Sequence, residues 1–519
     1  MKKRFNTVGL CIPNMHYMVN IDNKLEKIKM LIDRKDYFVI NRPRQYGKTT
    51  TMYMLEQMLK EEYLVISVSF EGIGDSAFLS EEAFSKIFID LITDSLEFVD
   101  DNLAETLSSQ SKEIQNLRDL SKAITNFIKK CNKEVVLFID EVDKSSDNQL
   151  FLSFLGMLRN KYLMRQQGKD KTFSSVILAG VYDIKNLKLK MQNDKEVKYN
   201  SPWNIAVNFD IDMSFSIDEI QTMLKEYKIA ENIEMDTLKT AERIYYYTNG
   251  YPFLVSRLCE IVNENIRNEN IEKWSYNIIL LSLKKLIAEK NTLFDDLIKN
   301  LNNYNNLKEY LFNLIINGEE RTFNIHNETI DLGVTFGYLR NDHEKVKVSN
   351  RIFEQVLYDY FSSRIETEVT SMKNYNFKDN FLTLTGLDFK KVLLRFQQFI
   401  KEQYSTLDSD FIEREGRLLF LAFIKPIING TGFDFKEVQI SEEKRLDIVV
   451  TYLKEKYIVE LKVWRGEKYH EKGLKQLAKY LENQSLNEGY LLIYNFNKNK
   501  EYKREEVVIE GKKIFVVWV

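Results

Sequence analysis

The chain has 519 residues, 44% hydrophobic and 29% charged, with a formal net charge of −3. That length predicts about three or four domains, and the near-neutral balance excludes a globally basic nucleic-acid binder, so such binding must rest on a local patch. Three scattered cysteines (Cys11, Cys131, Cys259) and only four His argue against a disulfide framework and a zinc centre.

The N-terminal MKKR is followed by a short apolar stretch broken by Pro13 and Asn14, which argues against a signal peptide. No apolar run reaches the roughly 18–20 residues needed to span a bilayer, so no membrane partner and a cytoplasmic setting are expected. Apolar runs at Tyr37–Ile40, Leu64–Phe70, Val135–Ile139, Ser175–Ala179 and Ile205–Phe209 predict five strands. Helix-period segments at Thr49–Lys60 and Phe84–Phe98 lie between them. The alternation predicts an α/β domain with a parallel sheet over 1–214. Residues 215–290 read as all-helical, with a stop and restart at Thr248-Asn249-Gly250-Tyr251-Pro252. Residues 291–365 read as helices followed by two short β-runs, a winged-helix-like module. Residues 366–425 are helical again, and 433–519 alternate strands with one helix near Glu471–Glu482; 366–519 is taken as the last domain, with its helical linker.

The stretch INRPRQYGKTT follows a β-run and opens a helix, the setting a phosphate-binding loop requires. Backbone N–H groups of Arg44, Gln45, Tyr46, Gly47 and Lys48 at the helix start face an anion, and Lys48 adds a point charge. Thr49, followed by Thr50, offers a hydroxyl to Mg²⁺. Arg42 stands where the GxxxxGK[ST] pattern has its first Gly; Arg42 and Arg44 add positive charge. About 90 residues on, VVLFIDEVD is an apolar strand ending in acids. Asp140 at its carboxyl end is a candidate Mg²⁺ holder, and Glu141 a candidate to polarise the attacking water. Nucleotide binding, with ATP and Mg²⁺ as cofactors, is the expectation.

Near the C-terminus, RLDIVVTYLKEKYIVELK predicts a β-hairpin. A turn at Lys454–Glu455 would set Asp447 opposite Lys462 and diagonal to Glu460. Residues two apart on a strand share a face. Two carboxylates and a Lys on one face form the kind of site that cuts phosphodiesters with Mg²⁺, Asp447 and Glu460 being the metal candidates. From Lys444 to Gln476 nine Lys/Arg face five Asp/Glu, an excess of 9 − 5 = 4. Trp464, Tyr469 and His470 are interleaved there as candidates for base stacking.

KRFNTVGLCIPNMHYMVNI, FVINRPRQYGKTT, VVLFIDEVDKSS and LAGVYDIKNLK together resemble the AAA-ATPase-like domain of bacterial ATPases related to the signal-transducing (STAND) and archaeal-type ATPases, over about residues 5–290. The resemblance implies a five-stranded sheet of the additional-strand (ASCE) type with a helical lid. In that family Arg at the first-Gly position is usual. Gly250-Tyr251-Pro252 resembles the family's GxP motif, which makes Pro252 a nucleotide-contact candidate. Tyr182 and Asp183 are candidates for the sensor position, and Arg159, Arg165 and Arg257 for an arginine finger.

REGRLLFLAFIKPIING, RLDIVV, YIVELKVWRGEKYHEKG and QLAKYL resemble the PD-(D/E)XK nuclease superfamily over about 380–519. Leu446 replaces the Pro that precedes the Asp in the superfamily pattern. The resemblance implies a mixed α/β restriction-endonuclease-like fold. Asp447 and Glu460 would ligate Mg²⁺, and Glu415, with Glu413 as its rival, would complete the site. Lys462 would position the water, and Gln476 would orient water or substrate. An ATP-regulated nuclease acting on nucleic acid, DNA ahead of RNA, is the leading expectation, with defence or mobile-element roles and homo-oligomers following from the resemblance. The alternative is a STAND-like ATP-gated switch whose C-terminal domain binds without cutting.

Overall fold

The computed structural model describes all residues except 1, 143–147, 182–187, 191–195, 199–201, 270–272, 316–320, 369–380, 382, 384–385, 404–415, 417–418, 422, 425–431, 437–446, 453–454 and 498–500. Glu413, Glu415, Tyr182, Asp183, Leu446 and the expected turn residue Lys454 lie outside the described residues. The chain forms two compact units. The first comprises residues 1–300, 324–342 and 348–353; the second comprises 301–323, 343–347 and 354–519.

The first unit begins α1 (Asp22–Asp33), β1 (Phe38–Asn41), α2 (Lys48–Leu59) and β2 (Tyr63–Ser69). It continues α3 (Glu81–Glu97), α4 (Asp101–Ser111), α5 (Leu117–Lys130), β3 (Glu134–Asp140), α6 (Gln149–Gln166) and β4 (Ser175–Gly180). Two short strands follow, β5 (Lys188–Lys190) and β6 (Glu196–Lys198). The main sheet is parallel, in the order β1-β4-β3-β2. β3 reads as an unbroken apolar run because both its faces are covered, as in other α/β sheets. α5 shows why the helices form. Leu117, Leu120, Ile124 and Phe127 recur at three- and four-residue spacing and are buried, and Asn116 caps the first turn by accepting from the Arg118 and Asp119 amides. Phe84, Phe88 and Phe154 anchor the core on one side of the sheet, with ring centroids 4.7–5.1 Å apart around Phe154.

Four strands, not five, make up this sheet among the described residues. The expected strand at Ile205–Phe209 is reduced to a single parallel bridge of Val207 to Phe38, closed by the Val207 amide on the Tyr37 carbonyl at 2.9 Å. Its first residue belongs to a 3-10 turn, Pro202–Ile205, which takes chain that the ladder would need. Beyond it lie α7 (Ile217–Glu231), α8 (Thr237–Thr248), α9 (Pro252–Glu269), α10 (Tyr276–Ile287) and α11 (Thr292–Asn303). The α8–α9 stop is as expected: Asn249 and Gly250 both take positive φ, and Pro252 opens α9, where a missing N–H costs nothing.

The chain then runs through α12 (Asn305–Ile315), α13 (Glu328–Thr335), β7 (Leu339–Asp342), β8 (Lys345–Val348), α14 (Arg351–Glu368) and α15 (Phe389–Gln403). The second unit's sheet follows: β9 (Gly432–Lys436), β10 (Asp447–Tyr452), β11 (Glu455–Val463), α16 (Glu467–Asn483), β12 (Glu488–Tyr494), β13 (Arg504–Ile509) and β14 (Lys512–Trp518). It is six-stranded and mixed, in the order β13-β14-β12-β11-β10-β9. β11, β12 and β14 are parallel neighbours; β9, β10 and β13 pair antiparallel. α16 is the crossover between β11 and β12, and buries Leu474, Leu477 and Leu481 against Ile458, Leu491 and Val516. No described helix is long and apolar enough to cross a membrane.

Candidate functional site

The first candidate site lies in the first unit, where β1 runs into α2. Gly47 takes φ 79° and Gln45 φ 55°, so the left-handed positions of the loop are 45 and 47, and position 42 is not among them. That is why Arg42 can stand where the common pattern has Gly: no positive φ is required there. The Arg42 guanidinium donates to the carbonyls of Asn41 (2.8 Å), Phe209 (3.2 Å) and Ile211 (2.6 Å) and lies 5.0 Å over the Phe209 ring. Burial pushes its pKa down. The side chain therefore ties down the edge segment beyond Val207, a use the charge alone did not reveal.

Lys48 opens α2 and is buried, its Nζ donating to the Arg42 and Pro43 carbonyls at 3.0 Å. Gly47 caps the helix without a side chain, so the first-turn amides have no side-chain acceptor from the cap and the helix dipole adds positive potential. Thr49 donates its hydroxyl to Asp140 Oδ2 at 2.9 Å, across 91 residues of sequence. The other oxygen, Asp140 Oδ1, accepts from the Glu141 amide at 2.9 Å. Glu141 itself takes φ 55°, a left-handed conformation costing a non-Gly residue about 1–3 kcal/mol. Such strain is typically retained where a side chain must be aimed.

Tyr251, in the turn between α8 and α9, donates its hydroxyl to the Arg44 carbonyl at 2.6 Å and meets Tyr46 edge-on at 4.8 Å. Burial pushes the Tyr46 phenol up to about 12 and the Tyr251 phenol well up. Pro252 follows directly. Thr50 turns elsewhere: its hydroxyl accepts from the Cys11 amide at 3.3 Å. Three further contacts on the loop were not legible in the sequence. Arg44 pairs with Asp296 at 3.1 Å, Gln45 donates to Thr292 at 2.8 Å, and Gly337 approaches Pro43 so closely that a Cβ there would lie 2.5 Å from Pro43 Cγ. No local pattern marks these partners, which are about 250 or more residues away in sequence. Among the arginine-finger candidates, Arg165 donates to the Phe173, Ser174 and Lys35 carbonyls, and Arg257 pairs with Glu260 and Glu289.

The second candidate site lies in the second unit on β10 and β11. The register corrects the expectation: Asp447 pairs directly with Glu460, not Lys462. Tyr452 pairs with Glu455, so the register is slid by two from the expected one. A slide of two leaves every position on its original face, so 447, 460 and 462 still share one. Glu460 is only 4% exposed. Lys462 Nζ lies 2.6 Å from Glu460 Oε1 and also donates to Gln476 Oε1 of α16 at 3.4 Å. Tyr494, at the end of β12, donates to the Gly416 carbonyl at 2.5 Å, and a Cβ on Gly416 would lie 2.9 Å from its ring. Among the described residues no three His, Cys, Asp or Glu side chains converge as a metal cluster.

A P-loop on a parallel sheet and a mixed sheet with an acid–Glu-x-Lys hairpin define a P-loop ATPase fold and a nuclease-type fold carried on one chain. Residues 19–358 match the AAA-like domain, and the chain belongs to that family; residues 431–505 match the PD-(D/E)XK nuclease superfamily. Both resemblances read from the sequence are borne out, the first reaching beyond residue 290. No curated protein matches the chain. It is similar to a solved Walker-type ATPase of Pyrococcus abyssi at 10% identity and TM-score 0.47, covering 68% of this chain and 99% of that one. It is also similar to the RuvB Holliday junction branch migration motor of Thermotoga maritima, at 13% identity and TM-score 0.33, covering 65% of this chain and 95% of that one.

Proposed function

We propose that the chain binds and hydrolyses ATP at the 42–50 loop and cuts nucleic-acid phosphodiesters at the β10–β11 hairpin, DNA ahead of RNA, in defence or mobile-element biology. The proposed division is 1–214 ATPase core, 215–290 lid, 291–365 winged-helix-like module and 366–519 linker and nuclease. Mg²⁺ fits both sites by donor chemistry. Thr49 and Asp140 present hydroxyl and carboxylate oxygens 2.9 Å apart, and Asp447 and Glu460 stand at paired positions on adjacent strands. Those residues would hold the ion, which when bound neutralises charge on phosphate oxygens and acidifies water. Lys48 and the amides of residues 44–49 receive the phosphates, Glu141 orients water, and the Tyr251-Pro252 turn closes on the loop.

At the hairpin, Lys462 steadies negative charge developing at phosphorus and holds water, with Gln476 fixing the ammonium; Glu415 is kept as the helix carboxylate. The observation that carries this reading is the buried Glu460 with the Lys462 ammonium 2.6 Å away, on the strand paired with Asp447. A buried carboxylate costs several kcal/mol unless it is compensated, as by a paired charge, and such pairs concentrate at functional sites. With Mg²⁺ and plasmid or single-stranded DNA, the wild type cuts, and Asp447→Ala and Lys462→Ala do not. Equal absence of cleavage by wild type and variants on DNA and RNA overturns the reading.

A second reading, an ATP-gated switch whose C-terminal domain binds without cutting, draws on the grip of Asp296, Thr292 and Gly337 on the phosphate loop. Those contacts give the loop a link to segments outside its own sheet.

A further inference from the structure

α16 carries lysines at positions 468, 472, 475 and 479, all of them exposed. Spacings of four, three and four put them within an arc of about 60° on the helix surface. The stripe runs about 16 Å along the axis at 1.5 Å per residue. It lies opposite the side that buries Leu474, Leu477 and Leu481. Among the described residues none of the four makes an ion pair. Glu467 and Glu471 stand along one flank only, and Glu482 at the far end is taken by Lys512.

The other flank leads to Lys462. Gln476 accepts from the Lys462 ammonium at 3.4 Å, and a Cβ on Gly473 would lie 3.6 Å from Lys462 Cε. Each of these contacts is one residue away from a lysine of the stripe. Arg465, exposed ahead of the helix, carries the same sign toward the hairpin.

A solvated helix face ordinarily mixes signs, because Glu–Lys pairs three or four apart stabilise it and like charges at those spacings repel. Here Lys468–Lys472, Lys472–Lys475 and Lys475–Lys479 are all like-charged neighbours. Lys468 also sits in the first turn, where the helix dipole disfavours a cation. Local rules broken without a compensating contact inside the fold mark functional surfaces. The chain as a whole carries −3, so attraction of a polyanion has to come from such a patch. A row of ammonium groups has no planar fork with which to read a base edge; it meets spaced point charges. One DNA strand presents a phosphate about every 3.4 Å along the duplex axis, so the stripe spans about five.

We propose that this face of α16 is a track for the sugar–phosphate backbone of a nucleic acid, leading it without regard to sequence past Gln476 to Lys462. The inference rests on the nuclease reading for its end point, but its test needs no cleavage.

The test uses the full chain in EDTA and a short labelled DNA oligonucleotide, with affinity measured as a function of salt. Gln keeps much of the Lys stem and suits a helix equally well. Lys468→Gln, Lys472→Gln, Lys475→Gln and Lys479→Gln together should weaken binding more than about tenfold and flatten the slope of log affinity against log salt by about three to four units; Lys475→Gln alone should flatten it by about one. Lys27→Gln, Lys60→Gln, Lys112→Gln and Lys169→Gln together, at exposed positions of the first unit, change the net charge equally and should leave the slope as it was. Scrambling the oligonucleotide sequence should leave the affinity unchanged. With these results in hand, absence of cleavage by the wild type falls on the nuclease reading alone. An unchanged slope in the α16 variant, an equal fall in the first-unit variant, or binding to phosphatidylserine vesicles through these lysines without binding to DNA overturns the track.

Discussion

Gly250→Ala tests whether the turn between α8 and α9 controls the phosphate loop. Gly250 has φ 71°, and a Cβ there would stand 2.0 Å from the Phe215 carbonyl oxygen and 2.9 Å from that residue's C and N. The Phe215 amide donates to the Gly250 carbonyl at 2.8 Å, so the two backbones are already locked together. Gly168 supplies the internal control in the same unit: its φ is 70°, and a Cβ there would meet nothing within 4 Å. Left-handed backbone alone costs Ala about 1–2 kcal/mol, partly offset by a stiffer unfolded chain. Overpacking adds about 1–3 kcal/mol and the broken hydrogen bond about 1 kcal/mol. Gly168→Ala should therefore cost about 1 kcal/mol and Gly250→Ala about 3–5 kcal/mol by the same principles.

Native-state hydrogen exchange over residues 215–260 reads the local loss, since it reports opening of that segment separately from the rest of the chain. Displacing the turn also breaks the Tyr251–Arg44 bond, so ATP affinity should fall more than tenfold in Gly250→Ala and hold in Gly168→Ala. Equal effects of the two substitutions on exchange and on ATP affinity would refute the steric reasoning.

Thr49→Val removes the hydroxyl that donates to Asp140; the apparent Mg²⁺ requirement for ATP hydrolysis should rise about 10–100-fold, read from phosphate release against Mg²⁺ concentration. Arg42→Ala should lower stability by about 2–4 kcal/mol, since its charge-assisted bonds to carbonyls are worth about 1.5–3 kcal/mol each and do not add fully. Arg42→Lys should fail to rescue it, because one ammonium cannot reproduce the fork; urea midpoints of the three proteins decide this. Buried Lys161 pairs with Asp170 at 2.8 Å. Burial holds the Lys161 pKa below its usual value; for Asp170 burial acts upward, but Lys161 and Thr125 outweigh it and hold the carboxyl below its usual range. A depressed carboxyl pKa gives stability that is present above the unfolded value near 3.9 and lost as pH falls through the folded value. Asp170→Asn should cost about 3–5 kcal/mol at pH 7 by stranding the ammonium, and should flatten this part of the acid limb of the stability–pH curve.

The sequence carried what local pattern can carry. VVLFID reads as a doubly covered strand because its burial is continuous, and the GKTT turn reads as a phosphate loop because strand, Gly and helix follow in order. The hairpin's faces were legible for the same reason: period two fixes which side a residue takes. It does not fix a slide of two, which is why the expected partner of Asp447 is Lys462 and the observed one is Glu460. The expected fifth strand is a single bridge because an apolar run does not show that Pro202–Ile205 turns as a 3-10 helix. The use of Arg42 as a tether, and of Asp296, Thr292 and Gly337 on the loop, depends on chain returning from far away, which no short window contains.

The proposed function joins an ATP-handling loop to a metal-dependent cutting site on one chain. The most direct measurement is cleavage of an end-labelled single strand by wild type, Asp447→Ala and Lys48→Ala, with Mg²⁺ and with or without ATP. Wild type should cleave, Asp447→Ala should not at any ATP concentration, and Lys48→Ala should cleave without responding to ATP. Cleavage by Asp447→Ala at the wild-type rate, or an ATP response retained in Lys48→Ala, would contradict it.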